Sequence, residues 1–204
     1  MILNAALSEF AERGYEAASI RDIGTRTGLQ HQLVTYHYRT KEVLWKAVAE
    51  NAFAEIRKLW DETPGDPDSA TPLEYLRERY FAFLRFTIQH RDFHHFMIRE
   101  SRPGNPRLPW LVDTILLPTL ERLLPAIRKA QDLGELPAGH SPVLIHYMLI
   151  GMTSVPSSLM DEIWQTAKIH TGEAKVVEAY MDLLDATIFR PAAATRAPRR
   201  PAKR

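Results

Sequence analysis

A row of hydrogen-bonding side chains follows a glycine near the start of the chain. Residues 28–37 read GLQHQLVTYH. If this segment forms a helix after Gly28, then Leu29, Leu33 and Val34 recur at helical spacing and can pack inward. The polar side chains left on the outside are Gln30, His31, Gln32, Thr35 and Tyr36. Such groups on a rigid helix can donate and accept hydrogen bonds, which is the chemistry that reads base edges in the DNA major groove.

The elements around this row form a helix-turn-helix pattern. Ser19, followed three residues later by Asp22, predicts a helix N-cap. Gly28 predicts the tight turn, because glycine tolerates a positive φ. Thr40 predicts the cap of a further helix that begins at about Lys41. A helix, a tight turn and a second helix are the arrangement that lays one helix in the major groove.

Three pieces of the chain resemble the DNA-binding domain of TetR-family (tetracycline-repressor-like) transcriptional regulators. They are ILNAALSEFAERGY (residues 2–15), SIRDIGTRTGL (residues 19–29) and LVTYHYRTKEVL (residues 33–44), in the order and spacing of that family. The resemblance implies an all-helical homodimer, with base edges faced from positions 31–33 and phosphates gripped from positions 35–37 and 41. The DNA-binding residues that it implies, including two neighbours of these positions, are Arg21, Gln30, His31, Gln32, Leu33, Thr35, Tyr36, His37 and Lys41.

The expected organisation is three segments in an all-α chain. We expect a TetR-type helix-turn-helix domain over residues 1–46, a larger ligand-binding and dimerisation domain over residues 47–190, and a disordered basic tail over residues 191–204. No strand-like alternation occurs, which favours the all-α class. Beyond residue 40 the predicted helices span about 41–60, 71–90, 92–100, 108–133, 142–168 with a break or kink at Pro156, and 173–189.

Composition and charge narrow the class of protein. The chain has 204 residues, 45% of them hydrophobic, and a net charge of +1. It has no cysteine, which excludes disulfides and thiolate metal sites and fits a reducing compartment. The first 50 residues carry six basic and six acidic groups, whereas residues 191–204 carry five basic groups and no acid. No apolar run approaches the roughly 20 residues of a membrane span, and no signal peptide is recognised, so we expect a cytoplasmic protein without a membrane partner.

Aromatic and methionine side chains recur across the helices predicted after residue 71. For any one of them, ordinary core packing is the stronger interpretation. As a group they suggest an apolar cavity between helices. The ligand-binding residues expected on that ground are Phe86, Phe93, Phe96, Met97, Trp110, Tyr147, Met148 and Met152, with His90, His94, His146, Tyr147 and Thr153 as polar neighbours. Because no arginine cluster accompanies them, we expect a small hydrophobic or aromatic effector rather than a phosphate or a sugar acid.

The sequence gives less support to a metal site or a catalytic site. His90 and His94 have the i, i+4 spacing of a chelating pair, but no third ligand is obvious beyond Glu100 or His146, so solvated or core histidines are favoured. The chain lacks a cysteine nucleophile, a GxSxG motif, a glycine-rich phosphate loop and an HExxH motif. We therefore expect no enzyme, no metal and no cofactor.

The expected function is a ligand-responsive repressor. Its partners would be operator DNA with an inverted repeat, a small-molecule effector and a second copy of the chain. The expected dimer faces are Leu144, Tyr147, Met148 and Gly151 on one helix and Val177, Tyr180, Met181 and Leu184 on another. The alternatives are a helical small-molecule-binding or scaffolding protein that does not regulate transcription, and an enzyme or carrier that uses the central cavity.

Overall fold

The computed structural model describes residues 1–63 and 71–189, and these residues form helices without any strand. The all-α class is therefore confirmed. The helices are α1 (Ile2–Ala17), α2 (Ile20–Thr27), α3 (His31–His37), α4 (Lys41–Glu62), α5 (Pro72–Gln89), α6 (Arg91–Glu100), α7 (Leu108–Leu111), α8 (Leu117–Asp132), α9 (Pro142–Ser158), α10 (Met160–Ala167) and α11 (Ala174–Thr187). The expected basic tail lies outside the described residues.

The predicted caps of the first helices are present. The Ser19 hydroxyl accepts a hydrogen bond from the backbone N–H of Asp22 at 3.0 Å, and the Thr40 hydroxyl accepts one from Val43 at 3.1 Å. Gly28 ends α2 with φ 68°. This left-handed conformation is the one that glycine adopts without steric cost. α2 and α3 therefore have the bounds and the turn of the predicted helix-turn-helix.

α1 contains a break at Gly14, after which the chain makes one more helical turn. Gly14 has φ 78° and ψ 165°, which is not helical. Tyr15 follows the break and stacks on Phe10 with ring centroids 5.9 Å apart. This aromatic contact holds the last turn of α1 against its first part, a tertiary effect that helix periodicity does not report.

α4 and α5 form the centre of the larger core. α4 buries Val48, Phe53, Ile56 and Trp60, and it runs without a break across the expected domain boundary at residue 46. The Trp60 indole donates a hydrogen bond to the Arg79 carbonyl of α5 at 3.1 Å. Contacts on one continuous helix thus connect the N-terminal helices to the rest of the fold.

The helical stretch between residues 108 and 132 is continuous but irregular. α7 passes into a π-helical turn, Val112–Leu116, which leads directly into α8. Pro118 follows this turn and has no N–H to donate, and a proline ring crowds the carbonyl four residues earlier. A π-helical turn relieves that conflict without ending the helix. Gly134 follows α8 with φ 73°, a left-handed conformation in which glycine can end a helix.

The last helices differ from their predicted spans. α9 contains Pro156 and continues to Ser158, so the break expected at Pro156 is wrong by two to three residues. α9 and α10 meet at an angle of 61°. The first N–H groups of a helix have no acceptor within that helix, so a new helix can begin at Met160 without losing a hydrogen bond of its own.

The exposed apolar face of this region involves a different stripe of α11 than expected. Leu144, Tyr147 and Met148 of α9 are exposed, by 69%, 53% and 38%. On α11, Leu184 is buried and the Tyr180 hydroxyl donates a hydrogen bond to the Met152 carbonyl at 2.7 Å, so this stripe packs inward. The outward stripe of α11 is Ala179, Leu183 and Ala186. The predicted α9 face is therefore exposed, whereas the predicted α11 stripe is buried or partly buried, and the use of either face in a dimer stays a prediction.

Within the described residues, no single helix has both the length and the apolar character of a membrane span. The bent pair of α9 and α10 passes that test only when its two helices are taken together.

Candidate nucleic-acid interface

α3 presents an exposed polar surface. Val34 is its one fully buried side chain, and every other residue of the helix is exposed. Tyr36 is 80% exposed and Leu33 is 42% exposed. Leu33 thus does not pack inward as its spacing suggested, but it stands among the residues expected to face bases. The exposed members of the predicted DNA-binding set are Arg21, Gln30, His31, Gln32, Leu33, Thr35, Tyr36 and His37.

α2 and α3 approach each other closely at Gly24. A Cβ atom on Gly24 would lie 3.1 Å from the Leu29 carbonyl oxygen and 3.2 Å from the backbone N of His31. These distances leave no room for a side chain without moving the start of α3. Ile23 and Val34 are fully buried beside this contact. Gly24 therefore fixes the position of the exposed face, a role that was not predicted from the sequence.

Ion pairs hold α2 against α1. Arg26 Nε lies 2.8 Å from the buried carboxylate of Glu9, and Arg26 also pairs with Glu12. Arg13 Nη1 lies 3.0 Å from Asp22 Oδ2. Because Asp22 pairs with Arg13, its carboxylate does not complete the reciprocal half of a capping box. These charged side chains pair with one another within the domain, and none of these pairs involves a residue of α3.

Lys41 has a different environment from the one expected of a phosphate-binding residue. Its ammonium donates hydrogen bonds to the carbonyls of Tyr15, Glu16 and Ala18, at 2.7, 3.1 and 3.2 Å. It also lies 4.6 Å from the centroid of the Tyr15 ring. All three N–H donors thus have backbone acceptors in the segment that follows Gly14. The ammonium therefore stabilises the α1–α2 connection, and its contact with a phosphate stays a prediction.

Two arginines join the helix-turn-helix to the larger part of the fold, and neither was singled out from the sequence. Arg99 of α6 donates from Nε to the Ala11 carbonyl at 2.7 Å and from Nη2 to the Glu12 carbonyl at 2.6 Å. These carbonyls lie just before the break in α1, where helical acceptors lose their partners. Arg99 thus caps the main part of α1 from a different helix.

Arg107 is the second of these arginines. Its guanidinium lies 4.0 Å from the Tyr15 ring centroid and donates from Nε to the buried Glu100 carboxylate at 3.1 Å. Trp45 packs beside it, with ring centroids 5.9 Å from Phe96 and 5.4 Å from Trp110. α1, α4, α6 and α7 therefore share one aromatic and cationic contact at the base of the DNA-binding helices.

The aromatic set predicted to line a ligand cavity is largely packed core. Phe93 contacts Phe53 and Phe86 with ring centroids 5.2 and 5.4 Å apart. Phe96 is fully buried. Tyr147 and Met148 stand on the exposed face of α9, away from the others. Of the eight predicted ligand-binding residues, the only one on the wall of a cavity described below is Phe86.

Cavities occur elsewhere in the described part of the chain. One of about 300 Å³ is partly open to solvent and is lined by apolar side chains of α5, α9, α10 and α11, among them Leu84, Val155 and Leu183. Another, of about 360 Å³, lies between α1, α4 and the α5–α6 connection. It adjoins a groove of about 620 Å³ along α4 and α5, with which it shares Glu55, Gln89 and His90. The first cavity is apolar, whereas the second has both apolar and charged walls.

His90 and His94, which have the spacing of a metal-binding pair, have different surroundings. His90 occupies the break between α5 and α6 and stacks on Phe86, with centroids 4.4 Å apart. His94 lies on α6, where burial and then His95 lower its pKa. Across residues 1–63 and 71–189, no three His, Asp or Glu side chains are grouped so that they could hold a metal ion.

One buried polar pair crosses the core between α5 and α9. The hydroxyl of Tyr80 lies 2.7 Å from Nδ1 of His146. Burial lowers the pKa of His146 to about 4 and raises the pKa of Tyr80. At neutral pH His146 is therefore uncharged, and its Nδ1 accepts the hydrogen bond that Tyr80 donates.

The N-terminal part of the chain, which contains α2 and α3, is similar in sequence to known proteins. Residues 2–48 match the family model described as bacterial regulatory proteins, tetR family. Residues 2–48 are therefore a tetR-family DNA-binding domain by sequence. It is also 46% identical over 66 residues to the HTH-type transcriptional repressor Rv3405c of Mycobacterium tuberculosis. That match spans 32% of this chain and 35% of the relative, so it covers about a third of each protein.

Solved structures extend the likeness to the whole fold. The TetR-family transcriptional regulator PfmR from Thermus thermophilus matches with a TM-score of 0.63 and 23% identity, over 93% of this chain and 94% of that one. The transcriptional regulator FadR from Bacillus subtilis, in complex with stearoyl-CoA, matches with a TM-score of 0.66 and 18% identity, over 90% and 95%. At these identities the likeness establishes a TetR-type fold beyond residue 48.

Proposed function

We propose that the protein is a DNA-binding transcriptional regulator that acts as an effector-responsive repressor. The observation that carries DNA binding is the surface of α3, on which polar side chains are exposed while Val34 and Gly24 fix the helix against α2. A helix held in this way can enter the major groove with Gln32 at the base edges. The matched relative is a repressor by name, which supports the direction of regulation.

We assign the contacts with DNA to two groups of the predicted residues. His31, Gln32 and Leu33 would face base edges, with Gln30 at the start of the helix. Thr35, Tyr36, His37 and Arg21 would reach phosphates or the outer edge of the groove, because they are exposed on α2 and α3. Phosphate contacts position a protein on DNA, whereas contacts with base edges specify the sequence. On this assignment residues 1–46 bind DNA, and residues 47–190 sense the effector and form the dimer.

The exposed face of α9 and α11 supports a homodimer. Leu144, Tyr147, Met148 and Val155 on α9 and Leu183 on α11 are each between 38% and 69% exposed. A continuous apolar face of this kind is costly in water and marks an interaction surface. In a twofold dimer the same patch of each copy would meet, giving two recognition helices that read an inverted repeat.

Effector binding would shift the population of dimers away from the DNA-binding spacing of those helices. A small hydrophobic or aromatic effector fits the apolar cavity between α5, α9, α10 and α11. The hydroxyl of Thr171 in its wall already donates to the Pro156 carbonyl at 2.7 Å, and Tyr180 donates to Met152 at 2.7 Å. With these polar groups satisfied, the wall offers mainly apolar contact. The FadR complex with stearoyl-CoA, whose acyl chain is apolar, supports an effector with a large apolar part on a similar fold.

Selection of bound fragments from random DNA tests the proposal. The full chain is expected to enrich an inverted repeat with half-sites about one helical turn, roughly 34 Å, apart or somewhat more. Gln32→Ala should relax the preference at one position of each half-site, by about 1–3 kcal/mol. Gln165→Ala is the matched control, because Gln165 is exposed on α10, away from α3.

Enrichment of no sequence by the wild-type dimer, even at low salt, would overturn the proposal. Tight binding of a small molecule without any DNA binding would then favour the helical ligand-binding protein. If Gln32→Ala and Gln165→Ala had the same sequence preference as the wild type, the assignment of Gln32 to base reading would be wrong.

A further inference from the structure

The cavity between α1, α4 and the α5–α6 connection combines apolar side chains with two carboxylates. Its volume is about 360 Å³, and its walls come from both the DNA-binding helices and the helices behind them. Leu3, Leu7 and Ile88 provide apolar surface. Glu55 of α4 and Asp92 of α6 bring carboxylates to the same cavity from separate helices. The cavity is partly open to solvent, and more than half of its lining residues are polar. A concave site that combines apolar surface with converging polar groups can hold a small molecule.

Neither carboxylate has a cationic partner. Glu55 accepts a hydrogen bond from the Asn51 amide at 3.2 Å, and Asp92 accepts one from the Ser8 hydroxyl. Of the ion pairs formed within residues 1–63 and 71–189, none includes Glu55 or Asp92. Arg91 also lines the cavity, but its guanidinium donates to Asp161 of α10 at 2.9 Å. The cavity therefore carries an excess of negative charge.

We propose that this cavity binds a small amphiphilic organic cation. Its ammonium group would lie between Glu55 and Asp92, and its hydrocarbon part would cover the apolar wall. An organic cation fits better than a metal ion, because the described residues group no three metal ligands here, while Leu3, Leu7 and Ile88 offer apolar contact to a hydrocarbon part. It also fits better than an anion, because Asp92 already supplies negative charge to the first turn of α6.

Occupation of the cavity would act on the connection between α1 and α6. The Ser8–Asp92 hydrogen bond joins these two helices, and an ammonium group would compete with Ser8 for the same carboxylate. The wall formed by α1 belongs to the DNA-binding part of the chain, and α4 continues from that part into the rest of the fold. The bound cation would therefore change operator affinity, and operator DNA would change cation affinity by the same factor. This regulatory part rests on the proposed function, whereas cation binding does not.

A pair of isosteric probes separates charge from shape. Phenethylammonium and neutral 2-phenylethanol have the same skeleton and would be titrated into the full chain by NMR. We expect phenethylammonium to bind with a dissociation constant on the order of 1 mM, as suits a ligand of its size. The alcohol is expected to bind at least about tenfold more weakly, because it cannot pair with the carboxylates.

The variants Glu55→Gln and Asp92→Asn remove the charges but keep the oxygens that accept the hydrogen bonds of Asn51 and Ser8. The double variant is expected to lose about tenfold in affinity for phenethylammonium and to keep its affinity for the alcohol. Glu50→Gln is the matched control, because Glu50 is exposed on α4 outside the cavity. Unchanged melting temperatures would show that the variants retain the fold.

Equal affinity of the wild type for the two probes would overturn the proposal. So would a double variant that binds phenethylammonium as the wild type does. A cation that binds at Glu55 and Asp92 without any change in operator affinity would overturn the regulatory part. Failure of the chain to bind DNA would instead contradict the proposed function, and the probe titration would still decide whether the cation site exists.

Discussion

Replacement of Lys41 by methionine distinguishes a structural ammonium from one that binds DNA. Methionine keeps most of the aliphatic length but removes the three N–H donors. In the structure these donors reach the carbonyls of Tyr15, Glu16 and Ala18 at 2.7–3.2 Å. The change would leave these carbonyls without their donor in the segment that leads into α2. We therefore expect Lys41→Met to destabilise the DNA-binding domain.

The magnitude follows from the number and exposure of these bonds. A hydrogen bond to a charged group contributes about 1.5–3 kcal/mol. The three bonds share one ammonium that is only partly buried, so water can replace some of them. We therefore expect a total loss of about 2 kcal/mol in the free energy of unfolding rather than the sum of three. In a chain of this size that corresponds to a melting temperature lower by about 4–8 °C.

Urea unfolding and the salt dependence of DNA binding measure the two roles separately. Lys58→Met is the stability control, because Lys58 is exposed and its nearest carboxylate, on Glu62, lies 3.8 Å away. Arg21→Ala is the DNA control, since each lost phosphate contact lowers the slope of log K against log salt by about 0.9. Lys41→Met should lose stability and keep the wild-type slope. Unchanged stability together with a slope lower by about one would refute the structural role.

Two further predictions concern the dimer and the buried histidine. Tyr147→Glu should yield a monomer by light scattering, because it places a charge in the exposed face of α9; Leu133→Glu, at the end of α8, is the control and should leave the oligomeric state unchanged. The pKa of His146 in the folded protein is about 4, below the ordinary value of about 6.5. Between these two pH values the unfolded chain therefore binds more protons than the folded one. The free energy of unfolding should fall as the pH drops from 6.5 to 4. The difference between the two pKa values corresponds to about 3 kcal/mol, and His146→Gln should lose this part of the pH dependence. If the urea midpoints of the wild type and of His146→Gln were equal at every pH, the prediction would be contradicted.

Local signals in the sequence were sufficient for the helix-turn-helix. Ser19, Gly28 and Thr40 each act on the backbone within a few residues, so their roles could be predicted without knowledge of the fold. The exposure of Gln32 could be predicted for the same reason. The inward position expected for Leu33 was wrong, because seven residues of α3 have one buried position rather than a full apolar stripe.

Long-range contacts account for most of what the sequence did not reveal. Lys41 and Arg99 have ordinary sequence neighbours. Their acceptors are backbone carbonyls on either side of Gly14, which become available because α1 breaks there. A carbonyl has no signature in the sequence. The aromatic set had the right composition for a cavity, but composition cannot distinguish a cavity lining from packed rings such as Phe93 on Phe53.

The same long-range contacts constrain how a signal could reach α3. α6 touches α1 at both ends of their contact: Asp92 binds Ser8 near the start of α1, and Arg99 caps it near Gly14. α2 is in turn paired with α1 through Arg26 and Glu9, and Gly24 leaves no space between α2 and α3. A displacement of α6 would therefore move these three helices together rather than deform the helix-turn-helix. In a dimer, such a rigid-body movement would change the spacing of the two recognition helices, which is the quantity that fits an inverted repeat.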